Sequence, residues 1–186
     1  MIAQLSISTH LIQPVGRQCL TAVIPLLVFL GTPVWAQGSF SPETVDRRIE
    51  PLSAIDQQFM AAQRADVEGW ANRLGTRLTG QSDRDLVTLQ RILDRGLVNT
   101  GDSLQLQALG VVLGDLFARE LNMDWVVYRD RAGRSRALRY RNSETFLFPV
   151  TMISRRWEAG HERAVADIYQ SNLERTLAQL PGANWR

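Results

Sequence analysis

From Asp102 to Leu121 the chain reads as one helix that is apolar nearly all the way round. Leu109, Val111, Val112, Leu113, Leu116, Phe117 and Leu121 leave it no broad face to give to water, and a helix of that kind has to be enclosed by the rest of its domain. Gly110 and Gly114 lie four apart on it. Each costs about 1 kcal/mol relative to alanine, so the pair marks a place where a neighbouring backbone comes close. Asn122 suits the left-handed position that closes such a helix. The remaining elements must be arranged around this one.

Two helices precede it. Ser53 with Asp56 forms a capping box for a helix whose Ile55, Phe59, Val67, Trp70, Leu74 and Leu78 fall near one face. Ser82 with Asp85 offers a second capping pair, before a stripe of Leu86, Leu89, Leu93 and Leu97 that Asn99-Thr100-Gly101 stops. After Leu121 the period changes from helical to extended. Trp125 to Tyr128 is rich in strand formers, and Asp130 with Gly133 suits a three-residue turn with a bulge. Arg134 to Tyr140 then returns as the partner strand, in a register that sets Trp125 opposite Arg139. Thr145 to Phe148 supplies a third strand, and Pro149 opens a helix carrying Val150, Ile153 and Trp157 that Gly160 closes. Val165, Ile168, Tyr169, Leu173, Leu177 and Leu180 stripe a last helix. The class expected from this order is α+β: helices packed on a small antiparallel three-stranded meander.

Upstream, Met1 to Gln18 holds one base, Arg17, and no acid; an apolar run from Cys19 to Leu30 follows, and Val34-Trp35-Ala36 puts small residues where a signal peptidase reads. Twelve apolar residues interrupted by Pro25 are too few to cross a hydrocarbon core, which takes about 20. Residues 1–36 are therefore expected to be a signal peptide cleaved between Ala36 and Gln37, residues 37–52 a tether, and residues 53–182 a single domain. The expected location is periplasmic or secreted, with no stable membrane insertion after cleavage.

Cys19 is the single cysteine of the chain. The part after Ala36 thus has no disulfide, thiolate nucleophile or cysteine metal site; neither a metal nor a cofactor is expected. All 21 basic residues are arginine. Beyond Ala36 they nearly balance the acids, which argues against a nucleic-acid partner, since that demands a one-sided surplus.

Gly101-Asp102-Ser103-Leu104 spells the nucleophile block of the GDSL-type esterases, yet Asp102 with Gln105 makes a capping box for the most apolar helix. A hydroxyl without an oriented base is not an activated nucleophile. His161, the one histidine after Ala36, follows Glu158 by three and lacks the Asp-x-x-His pattern of that family. Asp115 and Glu120 are the candidates for a carboxylate pair, with solvated helix-face charges as their plain reading. No catalytic residue is assigned. What stands out is the hairpin, with Arg129, Arg131, Arg134, Arg136, Arg139 and Arg141 in thirteen residues. It reads either as an edge kept soluble by charge or as a surface for carboxylate or phosphate groups, with arginine stacked on Trp125.

Several features of residues 109–160 resemble the bacterial domain of unknown function 3806. They are Leu109-Gly110 and Gly114 in an apolar helix, Trp125-Val126-Val127, Asp130-x-x-Gly133, Ala137-Leu138, Phe148-Pro149, Met152, Arg156 and Gly160. The resemblance implies the fold and transfers no catalytic residue. It marks Arg156, beside Trp157 at the end of a short helix, as a position to follow. Arg129, Arg139, Arg141, Arg156 and Trp125 are thus the candidate binding residues. The expected role is non-enzymatic binding of a partner such as an acidic envelope protein; the alternative is binding of a small anion or acidic glycan, and esterase chemistry ranks last.

Overall fold

The computed structural model describes residues 47–161 and 163–180. The signal segment, its Ala36–Gln37 cleavage point and most of the tether lie outside the described residues. Within them, no helix is long and apolar enough to cross a membrane.

Strand β1 (Arg48–Pro51) is followed by helices α1 (Ala54–Arg73), α2 (Ser82–Asp94) and α3 (Ser103–Leu121). The hairpin β2 (Asp124–Asp130) and β3 (Gly133–Arg139) comes next, then β4 (Phe146–Leu147). A 3-10 turn at Pro149–Thr151, α4 (Ser154–Glu158) and α5 (Val165–Gln179) complete the order. The strands form one antiparallel sheet in the order β1-β2-β3-β4. The class is α+β, and the expected three-stranded meander has a fourth strand. β1 arises inside the stretch read as a tether. Its Ile49 and Glu50 pair with Tyr128 and Val127, so the sheet recruits a segment too short and too polar to announce itself by period.

α3 is the enclosed helix. Leu106, Leu109, Val111, Leu113 and Phe117 are fully buried, and α1, α5, α4 and the 3-10 turn all pack on it. Asn122 closes it at φ 51°. A side chain on Gly110 would overlap the carbonyl of Val150, and one on Gly114 would overlap the Trp125 ring and Pro149. The two glycines are the contact through which the 3-10 turn and the sheet approach the helix.

Local chemistry departs from expectation at three places. The capping box of Ser53 and Asp56 is present, but the buried face of α1 runs through Asp56, Met60, Gln63, Val67 and Ala71. Ile55 and Phe59 are exposed. The helix is turned to bring Asp56 inward, where two arginines meet it. At α2, Asp85 does not pair with Ser82; its carboxylate accepts from Thr79 N, Thr79 Oγ1 and Gly80 N and so fastens the preceding turn. The hairpin turn has two residues instead of three, with Asp130 opposite Gly133. That shifts the register by one, setting Trp125 opposite Leu138 and Asp124 opposite Arg139.

The register sorts the side chains. Trp125, Val127, Leu138, Arg136 and Arg134 share the face turned to the helices. Tyr128, Ser135 and Arg139 share the other, with Phe146. The small Ser135 lets Tyr128 meet Phe146 across β3, with ring centroids 5.1 Å apart, and Phe148 at 5.3 Å.

Candidate functional site: two clefts at the edge of the sheet

β4 pairs with β3 over two residues only, Leu138 with Leu147 and Arg139 with Phe146. The reason lies in the sequence. Continued for two residues, the strand would bring Pro149 opposite Arg136, and proline has no N–H for a ladder. Pro149 instead starts the 3-10 turn, and the chain leaves β3. No described strand covers Gly133–Ala137 on that side. In a two-residue hairpin the closing pair exchanges hydrogen bonds, and hydrogen-bonded pairs alternate from there. The Ser135 and Ala137 main-chain groups therefore point to β2, whereas those of Arg134 and Arg136 point outward.

A cleft of about 500 Å³ opens along this edge. Tyr128, Arg134, Ser135 and Arg136 from the hairpin form one wall, with Phe148, Val150 and Arg155 across from them. Phe148 is 38% exposed there. Asp130 is the single acid of this lining.

Arg134 and Arg136 are anchored from below. Asp56 is 2% exposed; it accepts from Arg136 Nε at 3.0 Å and from Arg134 Nη2, as well as from Ser53. Arg136 also lies over the Phe59 ring, 4.6 Å from its centroid. The Arg134 hydrogen bond, opposed by burial and aided by Ser53, holds the Asp56 carboxyl well below the ordinary carboxylate range. These two arginines are thus fixed cations in the wall of the cleft.

A second cleft, of about 310 Å³, adjoins the first through Phe148, Thr151 and Arg155. It lies between α4 and α5 and is lined by Arg155, Arg156, Arg175, Asn172, Thr176 and Gln179 among others, with no acid in the lining. Arg156 Nη1 donates to the Met152 carbonyl at 2.7 Å. Burial, followed by the charges of Arg163 and Arg175, pulls the Arg156 guanidinium below its ordinary value, though an arginine stays charged in a protein.

The five candidate residues are distributed, not gathered. Arg129 Nε stands 3.6 Å from Glu50 at the β1 side. Arg139 donates to the Ser143 carbonyl at 2.9 Å and covers Phe146. Arg141, at φ 49°, covers the Tyr140 ring. Trp125 donates from Nε1 to Asp115 at 3.0 Å and its ring abuts Gly114. Of the five, Arg156 alone lines either cleft. Arg134, Arg136, Arg155 and Arg175 were not among the candidates. The legible signals for them were Pro149 after a short strand former run, and Arg155-Arg156 in tandem.

The other sequence candidates are engaged elsewhere. Asp102 caps α3 by accepting from Leu104 N and Gln105 N, whereas the Gln105 side chain turns to Asn99 N. Ser103 Oγ donates to Glu158. Asp115 accepts both forks of Arg64, at 2.6 and 2.8 Å. No group of three or more His, Cys, Asp or Glu able to hold a metal ion occurs among the described residues.

Residues 85–169 match the family model of the domain of unknown function DUF3806. The match covers a segment of the chain wider than the 109–160 stretch whose motifs carry the resemblance. A crystal structure from Bacteroides thetaiotaomicron VPI-5482 at 1.50 Å resolution is similar over 73% of this chain, with a TM-score of 0.63 and 18% identity. At that identity the likeness shows the fold alone, and this chain spans 50% of that one. No curated protein matches the sequence.

Proposed function

We propose that this chain is an exported binding domain that takes an extended, acidic segment of a partner protein onto the uncovered edge of β3. The observation that carries this reading is the early departure of β4 at Pro149, which leaves the outward main-chain groups of Arg134 and Arg136 facing a cleft. An added strand would meet main-chain partners there, and flanking pockets would read its alternate side chains. Exposed edges are ordinarily blunted by charged side chains spread over them. Here the two guanidiniums are instead drawn to Asp56 on the helix side, so they supply charge without blocking the ladder.

Charge complementarity chooses the partner. Arg134, Arg136 and Arg155 line the cleft and outnumber Asp130 in its lining and Asp56 beneath it, and Tyr128 and Phe148 offer apolar surface between them. A segment alternating acidic and apolar residues fits both. The signal segment read from residues 1–36 supports an encounter in the envelope or outside the cell. The engaged state of Ser103 and the lone position of His161 favour binding over ester hydrolysis.

The test is a library of ten-residue peptides alternating acidic and apolar residues, assayed by fluorescence anisotropy on the purified domain. Binders should lose affinity at least tenfold when alternate peptide amides are N-methylated, and should weaken with Arg155→Glu. Binding that ignores N-methylation would mean that the edge is not the ladder partner.

A further inference from the structure

We infer that the cleft between α4 and α5 is a second, adjoining site for a phosphoryl oxyanion, held by Arg155, Arg156 and Arg175. The first support is charge without compensation. Three guanidiniums line one concavity that contains no acid, and none of the three forms an ion pair among the described residues. Acids lie close by in the sequence but are committed elsewhere. Glu158, next turn on α4, accepts from Ser103, and Glu174, beside Arg175, accepts from Gln170 Nε2 at 2.8 Å. The contrast with the cleft between α1 and α3 is direct. There Arg64 is matched by Asp115, and Arg119 by the Gly80 carbonyl at 3.0 Å.

The second support is the wall. Asn172 and Thr176 are buried, and each donates one hydrogen bond to its own helix, to the Ile168 and Asn172 carbonyls at 2.7 Å. They make a polar floor that carries no charge to neutralise the arginines. Arg156 spends one N–H on the Met152 carbonyl, which tethers the guanidinium and leaves further donors. Planar forks of this kind pair with oxyanions bidentately. Three positive charges favour an anion with more than one negative charge over a single carboxylate. A phosphate, free or as the terminal monoester of a larger molecule, meets that requirement.

An uncompensated cluster repels itself, so binding and stability are linked. A ligand that binds only the folded state raises its stability in proportion to the logarithm of its concentration over Kd. The experiment uses the purified domain at constant ionic strength, with chloride as the balancing anion. Inorganic phosphate, glycerol 3-phosphate and acetate are titrated, and the melting temperature and arginine side-chain NMR shifts are followed. Wild type should show saturable shifts with phosphate at millimolar concentration or below, and at least tenfold weaker effects with acetate. Arg156→Gln and Arg175→Gln should each reduce the phosphate effect at least tenfold, and Arg175→Gln should melt no lower than wild type without ligand. Arg129→Gln should respond as wild type does. Tighter binding of glycerol 3-phosphate than of phosphate identifies a monoester as the source; equal binding identifies the free ion. Absence of saturation, an equal response to acetate, or unchanged binding by both variants would overturn the assignment. Arg156 and Arg175 do not line the β3 cleft, so this result is independent of the peptide reading.

Discussion

Arg136 Nε donates to Asp56 Oδ1 at 3.0 Å, across 80 positions of sequence. This bond, with its neighbour from Arg134, ties the open half of the hairpin to the first turn of α1. The edge that we assign to partner binding is thereby anchored from the helix side, with its main chain over Gly133–Ala137 paired by no described strand on the other.

Asp56→Asn should cost about 3 kcal/mol at neutral pH, the low end for breaking a buried ion pair, because both arginines keep some contact with water. The pH dependence has a definite sign. A carboxyl held below its ordinary value binds fewer protons folded than unfolded, so its contribution is present above the unfolded pKa of about 3.9 and is lost as pH falls further. Wild-type melting temperature should fall steeply below about pH 4, and the Asp56→Asn curve should be flatter there. Parallel curves would mean that Asp56 is not the acid-sensitive group.

The hairpin arginines should separate into two classes. Arg129 is half exposed at 3.6 Å from an equally exposed Glu50, and such pairs contribute less than about 1 kcal/mol. Arg129→Gln should barely move a urea midpoint. Arg136→Gln leaves the buried Asp56 one donor short, which costs about 1–3 kcal/mol. Equal effects in the two variants would contradict the division.

Gly110→Ala should destabilise the fold although alanine is the better helix former by about 1 kcal/mol. The added methyl meets the Val150 carbonyl, which is backbone and cannot swing aside, and overpacking of this kind costs about 1–3 kcal/mol. Denaturant unfolding of the variant checks it. A gain in stability would show that the 3-10 turn is not seated against α3.

Much of this was legible because the chemistry is local. The apolar turn of α3 from Leu109 to Leu121, the left-handed Asn122 and the Ser53–Asp56 box each depend on neighbours a few positions apart. The pairing of Gly110 and Gly114 also announced a close contact, though not its partners, Val150, Trp125 and Pro149. What the sequence hid is long-range. β1 is a strand only because β2 offers it a ladder, and nothing in Arg48 to Pro51 has a period of its own. Ile55 and Phe59 were assigned to the buried face of α1 by apolarity, whereas the ion pairs of Asp56 turn the helix the other way. The one-residue difference in the hairpin turn moved Trp125 from Arg139 to Leu138, and with it the whole pattern of faces. Arg155 and Arg175, twenty positions apart, share a cleft only because α4 and α5 both pack on α3.

The most direct test of the central claim is amide hydrogen exchange of the hairpin, read by NMR residue by residue. With the edge uncovered, Arg134 and Arg136 N–H should exchange fast, and Ser135 and Ala137 N–H slowly, because the latter are bonded to β2. Saturation with a binding acidic peptide should slow Arg134 and Arg136 at least tenfold and leave Ser135 and Ala137 little changed. Slow exchange at Arg134 and Arg136 in the free domain, or no added protection with the peptide bound, would contradict strand addition at β3.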